Sequence, residues 1–185
     1  LKNITMDFNF KHIGNCDVSK LIEKFNNIDE NVWLGHQYRQ NMKKGKGTHR
    51  NTNSIEILWD PECLKNLEIG TKSGNYDLLE MDEFFDSIKP LYEKEYGDGY
   101  FLHALFTRLK PNTDIKEHFD RGESLTLSKR THIPIKTNPN IKFKVGGEEK
   151  YMKSGEIWEI NNSGKKHGVI NNSNEYRIHL IIDYI

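Results

Sequence analysis

The chain has 185 residues, enough for one domain of ordinary size with a sizeable core. Its 27 basic and 27 acidic residues cancel, so no net field draws it toward nucleic acid or an anionic membrane, and we expect neither as a partner. Charged residues make up 29% of the chain and aromatic residues 11%, a composition typical of a folded protein rather than a disordered one.

We find no targeting signal and no metal-binding cysteine spacing in the sequence. No apolar run approaches the roughly 20 residues of a membrane helix, and the first residues lack the apolar segment of a secretory signal. Cys16 and Cys63 lie far apart and match no zinc-binding spacing. We therefore predict a cytoplasmic protein with two reduced thiols.

The first hundred residues contain signals for both strands and helices. In chain order, the spacing of apolar residues predicts a strand over 4–13, a helix over 18–28, a strand beginning at Trp33 and Leu34, a strand from Ile55 to Trp59 and a long helix from Met81 to Tyr96. Pro90 is expected to kink or divide the long helix, and Gly97 to end it. The basic loop 41–53 could hold an acidic substrate, but a solvated loop is the preferred interpretation.

The pattern changes after Gly99, where the helix signals end. Clusters of Pro, Gly and Asn then separate short strands over 101–109, 115–120, 126–135, 141–145, 150–152, 156–160, 167–170 and 175–184. About eight short strands at regular spacing predict a sandwich or a barrel. We predict one mainly β domain over residues 1–185, in which 1–100 flank a core formed by 101–185.

Histidine and carboxylate side chains in the second half have the spacing of a metal site. His118 and Asp120 are alternate residues of a predicted strand, so both side chains point to the same face. One further histidine would complete the facial triad of a non-haem iron oxygenase. A chain of this composition is expected to contain about 0.5 His-x-Asp matches by chance, so the pair by itself decides nothing.

Three histidines downstream are candidates for the third ligand, and they are His132, His167 and His179. His167 begins a short predicted strand after an Asn-Ser-Gly turn, which would place it at the mouth of a barrel where small molecules enter. His132 and His179 lie deeper in their strands. A single histidine is more often structural than metal-binding, so only the set of residues favours a metal site, with His167 as the preferred ligand.

Arg177 lies in the final strand, which is mostly apolar and is expected to be central. A buried guanidinium needs a partner. One interpretation is a structural salt bridge, with Asp183 or a glutamate. The other is a site for a ligand carboxylate, which a planar guanidinium binds through two donors. Arg130 and His132 share one face of their strand and could hold a second carboxylate, so the pattern favours a dicarboxylate.

These residues resemble the aspartyl/asparaginyl β-hydroxylase family of Fe(II)/2-oxoglutarate dioxygenases. The resemblance extends from Thr107 to Asp183, under half of the chain, and the motifs match in order and spacing. They are Leu109–Thr113, His118–Asp120, Arg130–Ile135, Gly155–Asn162, His167–Asn171 and Arg177–His179.

The resemblance implies a double-stranded β-helix, a cupin-like jelly roll. It implies that Fe(II) is bound by three ligands, His118, Asp120 and His167. It also implies that Arg177 and Thr107 hold the far carboxylate of 2-oxoglutarate, while Arg130 and His132 contact the end nearer the metal. With O2 as the other cosubstrate, such an enzyme hydroxylates an unactivated C–H bond.

The sequence leaves the substrate open between a free amino acid and an Asp or Asn side chain in a peptide or protein. Two alternatives keep the fold and change the function. A cupin metalloenzyme that does not use 2-oxoglutarate would retain the metal ligands and make Arg177 structural. A non-catalytic cupin would bind a metabolite without turning it over.

Overall fold

Ten strands and five helices form the part of the chain that the computed structural model describes, which is residues 7–35, 47–59, 67–68 and 70–185. The strands are β1 (Phe10–Asn15), β2 (Thr52–Leu58), β3 (Phe101–Leu109), β4 (Thr113–His118), β5 (Lys129–Lys136), β6 (Ile141–Val145), β7 (Glu148–Lys150), β8 (Glu156–Ile160), β9 (His167–Asn171) and β10 (Arg177–Tyr184). The helices are α1 (Ser19–Asn27), α2 (Glu30–Leu34), α3 (Gly74–Leu78), α4 (Met81–Tyr96) and α5 (Glu123–Leu127).

The strands form two antiparallel sheets. The larger sheet has the order β1-β8-β5-β10-β3-β2, and the smaller sheet has the order β4-β9-β6-β7. Strand β10 lies between β5 and β3, so the apolar final strand is central, as its composition predicted. Both β1 and β2 come from the first hundred residues and pair into the larger sheet, β1 with β8 and β2 with β3.

The two faces of the larger sheet differ in chemistry because alternate residues of a strand point to opposite sides. In β10, Ile178, Leu180 and Ile182 belong to an apolar core that the helices α1, α2 and α4 complete. The residues between them, beginning with Arg177 and His179, face the smaller sheet. The helices therefore cover one face of the larger sheet, and a polar pocket occupies the other.

A second apolar cluster joins the two sheets. It contains Leu109 and Ile160 from the larger sheet, and Phe143, Val145 and Val169 from the smaller one. The mainly β, two-sheet prediction is confirmed by this arrangement.

The predictions for the N-terminal half were partly wrong. Trp33 and Leu34 lie in helix α2, because the Asp29 side chain accepts a hydrogen bond from Asn31 N and caps that helix. Pro90 neither ends nor divides α4. Both Pro90 and Asp86, whose carbonyl oxygen loses its helical donor, are exposed, so water can replace the missing bond.

Other predictions agree with the structure to within a few residues. Helix α4 has the predicted bounds and Gly97 ends it. The predicted strand 126–135 begins later, since α5 occupies 123–127, and the predicted strand 150–152 is displaced to β7. Most of the basic loop 41–53 lies outside the described residues.

Candidate metal centre and carboxylate pocket

Two histidines from neighbouring strands form the base of the candidate metal centre. His118 ends β4 and His167 begins β9, and the antiparallel register places them directly opposite each other. Their ring centroids are 4.4 Å apart. Cross-strand partners are the closest side chains that a sheet can supply, so strand pairing alone brings together two residues that are far apart in sequence.

Asp120 completes the cluster from the segment that follows β4. Its Oδ1 atom lies 3.7 Å from His118 Nε2 and 3.7 Å from His167 Nε2. The three ligand atoms all lie within 4.8 Å of one another. Two imidazoles and one carboxylate suit a divalent transition metal, and this donor set is that of the non-haem iron facial triad. The three residues could therefore bind iron.

The hydrogen bonds around the cluster orient its ligand atoms. His118 Nδ1 donates to the Lys116 carbonyl oxygen at 2.8 Å, which leaves the Nε2 lone pair for a metal. Asp120 Oδ2 accepts hydrogen bonds from Arg130 Nη1 at 2.6 Å and Asn162 Nδ2 at 3.1 Å. One carboxylate oxygen is thus held by the protein while the other faces the histidines.

His167 is a neutral imidazole over the ordinary pH range. Burial lowers the pKa of His167 to about 4; the nearby Asp120 carboxylate raises it, but burial outweighs that influence. A neutral imidazole is the form that binds a metal. No proton therefore has to be removed from this ligand at neutral pH.

Gly168 allows β9 to approach β4 closely beside the ligands. A Cβ atom built at this position would lie 2.7 Å from the Ile115 carbonyl oxygen and 3.1 Å from Glu117 N. Both contacts are with backbone, which cannot move as a flexible side chain does. Glycine at this position therefore sets the spacing of the two strands that carry His118 and His167.

A pocket opens beside these candidate ligands, between the two sheets. Besides His118, Asp120 and His167, its lining includes Thr107, Arg130, His132 and Arg177. Every residue predicted to bind metal or cosubstrate therefore borders one pocket.

Arg177 is the most unusual charge in this pocket. Its side chain is 1% exposed, and no carboxylate pairs with it among the described residues. Nη2 contacts His179 Nδ1 at 2.6 Å, and Nε has no hydrogen-bond partner. Burial lowers the pKa of Arg177 to about 9. The predicted salt bridge with Asp183 is not formed, because Asp183 pairs with Arg130.

Besides Nδ1 of the candidate ligand His167, two further buried polar atoms in the same pocket have no hydrogen-bond partner among the described residues. They are Thr107 Oγ1 and His132 Nδ1. Burial, and then the charges of Arg177 and Arg130, hold the pKa of His132 well below its ordinary value, so its ring is neutral. Unpaired buried polar atoms are rare in folded proteins and often mark the place of a ligand. A carboxylate could satisfy them together with Arg177.

Arg130 borders the pocket but is held mainly by the protein itself. Nε and Nη2 donate to Asp183 at 2.8 and 2.7 Å, and Nη1 donates to Asp120. A guanidinium has five N–H groups, so two remain for another partner. Its contact with a cosubstrate stays a prediction.

Sequence reasoning missed several residues around the site. Asn162 was noted only in a turn and at the end of a motif, and Phe143 only as part of a strand. Yet Asn162 donates to Asp120, and Phe143 lies 5.6 Å from the Arg177 guanidinium. His179, considered as a candidate metal ligand, accepts a hydrogen bond that orients Arg177. Only pairing across the sheets reveals these contacts.

The chain matches the sequence model of a protein family over residues 28–185. The family is described as Aspartyl/Asparaginyl beta-hydroxylase. The match begins well before Thr107, so it also covers strands and helices upstream of the motifs that carried the resemblance. No protein with a curated description matches the sequence.

Several solved structures have a similar fold. An oxidoreductase of the 2OG-Fe(II) oxygenase family from Burkholderia pseudomallei has a TM-score of 0.54 and 11% identity, and the alignment covers 72% of this chain and 65% of that one. The viral collagen prolyl hydroxylase of Paramecium Bursaria Chlorella virus-1, solved as a 2OG complex, has a TM-score of 0.54 and 9% identity, with 98% of each chain covered. A non-heme monooxygenase, ThoJ, in a nickel complex has a TM-score of 0.57 and 10% identity, with 96% of this chain and 73% of that one covered.

The chain spans slightly less than two thirds of the Burkholderia protein's length. At such low identities the likeness establishes the fold alone, and it confirms the predicted jelly roll. None of the helices described is long and apolar enough to cross a membrane.

Proposed function

Since this chain belongs to the aspartyl/asparaginyl beta-hydroxylase family, we propose that it is an Fe(II)- and 2-oxoglutarate-dependent oxygenase. It hydroxylates an unactivated C–H bond of an amino acid, or of an Asp- or Asn-type side chain in a peptide. Family membership supports the predicted enzyme class, a hydroxylase of the dioxygenase type. One observation carries the proposal to this site: the His118–Asp120–His167 cluster shares a pocket with Arg177, a buried arginine that pairs with no carboxylate among the described residues.

The metal cluster fits iron by its donor chemistry. Three ligands from one side leave an open face on an octahedral metal, where a chelating cosubstrate and oxygen can bind. His118, Asp120 and His167 supply such a set, with their ligand atoms within 4.8 Å of one another. The Nδ1 bond of His118 and the Oδ2 bonds of Asp120 hold these two ligands in place.

The cosubstrate site fits a dicarboxylate by its unpaired groups. Arg177 and the Thr107 hydroxyl are assigned to the far carboxylate of 2-oxoglutarate. They lie on β10 and β3, which pair so that Thr107 is opposite His179, two residues from Arg177. His132 Nδ1 and the two remaining N–H groups of Arg130 are assigned to the end nearer the metal.

Bound iron and 2-oxoglutarate would supply the oxidising chemistry, in which O2 and the cosubstrate yield succinate, CO2 and one hydroxyl group on the substrate. The protein's own residues orient the cosubstrate and neutralise its charge. Arg177 neutralises the far carboxylate in a site that excludes water. His179 fixes the direction of that guanidinium through its Nδ1 atom. Neutral His132 can donate to the cosubstrate without adding charge.

The position of the pocket between the two sheets limits how much of a substrate enters it. The cosubstrate and the reacting part of the substrate must share this one pocket. This favours a single amino acid or one side chain of a peptide over a bulky rigid molecule. Mass analysis of candidate free amino acids and Asp- or Asn-containing peptides after turnover would identify the substrate by its gain of one oxygen.

Anaerobic reconstitution tests the proposed function. We expect Fe(II) and 2-oxoglutarate together to give a visible charge-transfer band, and admission of oxygen to give succinate. The His167→Ala variant should lose iron binding and the band. The exposed histidine His12, on β1, provides a matched control, and His12→Ala should retain both. Absence of the band from the unaltered protein would refute the use of 2-oxoglutarate.

A further inference from the structure

A row of alternating charges leads from the metal centre across the inner face of the larger sheet. It begins at Asp120 and continues through Arg130 on β5, Asp183 on β10, His103 on β3 and Glu56 on β2. The register places Asp183 directly opposite both Arg130 and His103. The last four members are each at most 6% exposed. So many buried charges are costly unless each one has partners.

Each member of the row contacts the next. Arg130 donates to both oxygens of Asp183, at 2.8 and 2.7 Å, and to Asp120 at 2.6 Å. The Nδ1 atom of His103 lies 3.3 Å from Asp183 Oδ2, and its Nε2 atom lies 3.4 Å from Glu56 Oε2. The Trp59 ring lies beside the imidazole, with centroids 4.8 Å apart.

The geometry favours a protonated ring at His103. Both of its nitrogens face carboxylate oxygens, and a neutral imidazole can donate from only one of them. Burial by itself would lower the pKa of His103, but hydrogen bonds and charge from Asp183 on β10 and Glu56 on β2 together raise it above its ordinary value. These two carboxylates are the charged groups that face the ring from the strands on either side.

We propose that Asp183 and His103 are positioning residues of the metal centre. Asp183 anchors the guanidinium of Arg130, and that guanidinium holds Oδ2 of Asp120 so that Oδ1 faces the metal. Protonated His103 in turn anchors Asp183 on its other side. The inference deepens the proposed function and rests on it, because Asp120 must be a metal ligand.

Loss of the His103 proton distinguishes a positioning role of this residue from a purely electrostatic one, because the two roles change metal binding in opposite directions. A neutral ring carries no charge and can donate to only one of the two carboxylates, so it holds Asp183 less firmly and the support of Arg130 weakens. Asp120 is then held less firmly in the orientation that binds the metal, so the metal binds more weakly. If His103 acted only through its charge, losing the proton would make the region more negative and would tighten the binding of a cation. The two roles therefore predict opposite signs.

Titration with Co(II), whose visible absorption reports its ligands, measures the sign. We expect His103→Gln to weaken Co(II) binding about 10-fold at neutral pH, the usual size of an effect from groups that orient metal ligands. In the unaltered protein, affinity should fall as the pH rises through the raised pKa of His103, and the variant should lack that fall. His12→Gln, an exposed change on β1, should match the unaltered protein.

Two further measurements keep the test decisive if His103→Gln does not fold. Nitrogen-15 spectra of labelled histidine in the unaltered protein should show both His103 ring nitrogens protonated at pH 7. The Glu56→Gln variant removes one of the two carboxylates, so the alkaline fall in Co(II) affinity should move to lower pH. A neutral His103 ring at pH 7 overturns the inference, as does an alkaline fall that Glu56→Gln leaves in place.

The outcomes distinguish this inference from the proposed function. If the unaltered protein binds no Co(II), and forms no succinate with Fe(II) and 2-oxoglutarate, both fail. If it does both, while His103→Gln binds Co(II) as tightly or more tightly, the positioning role alone is wrong. Weaker binding by His103→Gln with normal binding by His12→Gln supports it.

Discussion

Replacing Arg177 by methionine tests whether its charge serves the cosubstrate or the fold. Methionine keeps much of the length and apolar surface of the arginine stem and removes only the guanidinium. In the ligand-free protein that guanidinium contacts His179 and no carboxylate among the described residues. The variant should therefore lose cosubstrate binding without losing stability.

The magnitude follows from the cost of burying this charge. Burial lowers the pKa of Arg177 from its ordinary value of 12.5 to about 9. At about 1.36 kcal/mol per pKa unit, the charged form carries a penalty on the order of 5 kcal/mol. Relief of that penalty offsets the lost contact with His179. We expect the free energy of unfolding of the ligand-free variant to equal or exceed that of the unaltered protein.

Cosubstrate binding should change in the opposite sense. Removing one partner of a buried, hydrogen-bonded charge pair costs about 2–5 kcal/mol, which corresponds to a roughly thirty-fold to several-thousand-fold loss of 2-oxoglutarate affinity. Anaerobic calorimetric titration of the metal-loaded protein measures this loss. Added 2-oxoglutarate should raise the unfolding temperature of the unaltered protein and leave that of the variant unchanged.

Arg108 offers a matched control on the other face of the same sheet. It is also buried, at 6% exposure against 1% for Arg177. Unlike Arg177, it donates to Asn53 Oδ1 and Glu30 and lies between the rings of Trp33 and Tyr176. Arg108→Met should therefore destabilise the protein by about 1–3 kcal/mol and spare 2-oxoglutarate affinity. The reasoning is refuted if Arg177→Met binds 2-oxoglutarate normally, or if it destabilises the ligand-free protein as much as Arg108→Met does.

Three further predictions concern the same pocket. Thr107→Val removes a hydroxyl that has no hydrogen-bond partner among the described residues, so calorimetry should show about five-fold weaker 2-oxoglutarate binding and unchanged stability. Gly168→Ala adds a Cβ that meets the Ile115 carbonyl oxygen at 2.7 Å; it should separate the two ligand-bearing strands and weaken Co(II) binding in a spectroscopic titration by about 10-fold or more. Burial opposes ionisation of Asp183, but the charge of Arg130 outweighs burial and holds the pKa of Asp183 well below its ordinary value. The stability that ionised Asp183 contributes is therefore present above about pH 4 and lost as the pH falls further. The acid unfolding of Asp183→Asn should lack that pH dependence.

The candidate metal ligands could be picked out from the sequence. Expected alternation along a strand put His118 and Asp120 on one face, although Asp120 follows the end of β4, and a turn put His167 at a strand start. Both are local properties of the backbone, which sequence patterns express directly. The mainly β fold, the central final strand and the bounds of α4 follow from the same kind of local periodicity.

The partners of each charge were not predictable in this way. Arg130 and Arg177 look alike in the sequence, since each lies in a strand with a histidine two residues later. Cross-strand register puts Asp183 opposite Arg130 and leaves Arg177 beside His179, with no carboxylate partner among the described residues. Register depends on pairing between distant segments, and a shift of one residue would reverse which side chains face the pocket.

The sequence by itself determined the residue types of the site and the strands that carry them, because side-chain chemistry and strand alternation are local. Only the tertiary structure decided which arginine is free to bind a ligand carboxylate and which one holds Asp120. It also revealed His103 and Glu56, which no motif marks. Their significance arises from a charge network across four strands, and the energies of buried charges depend on neighbours that only folding brings together.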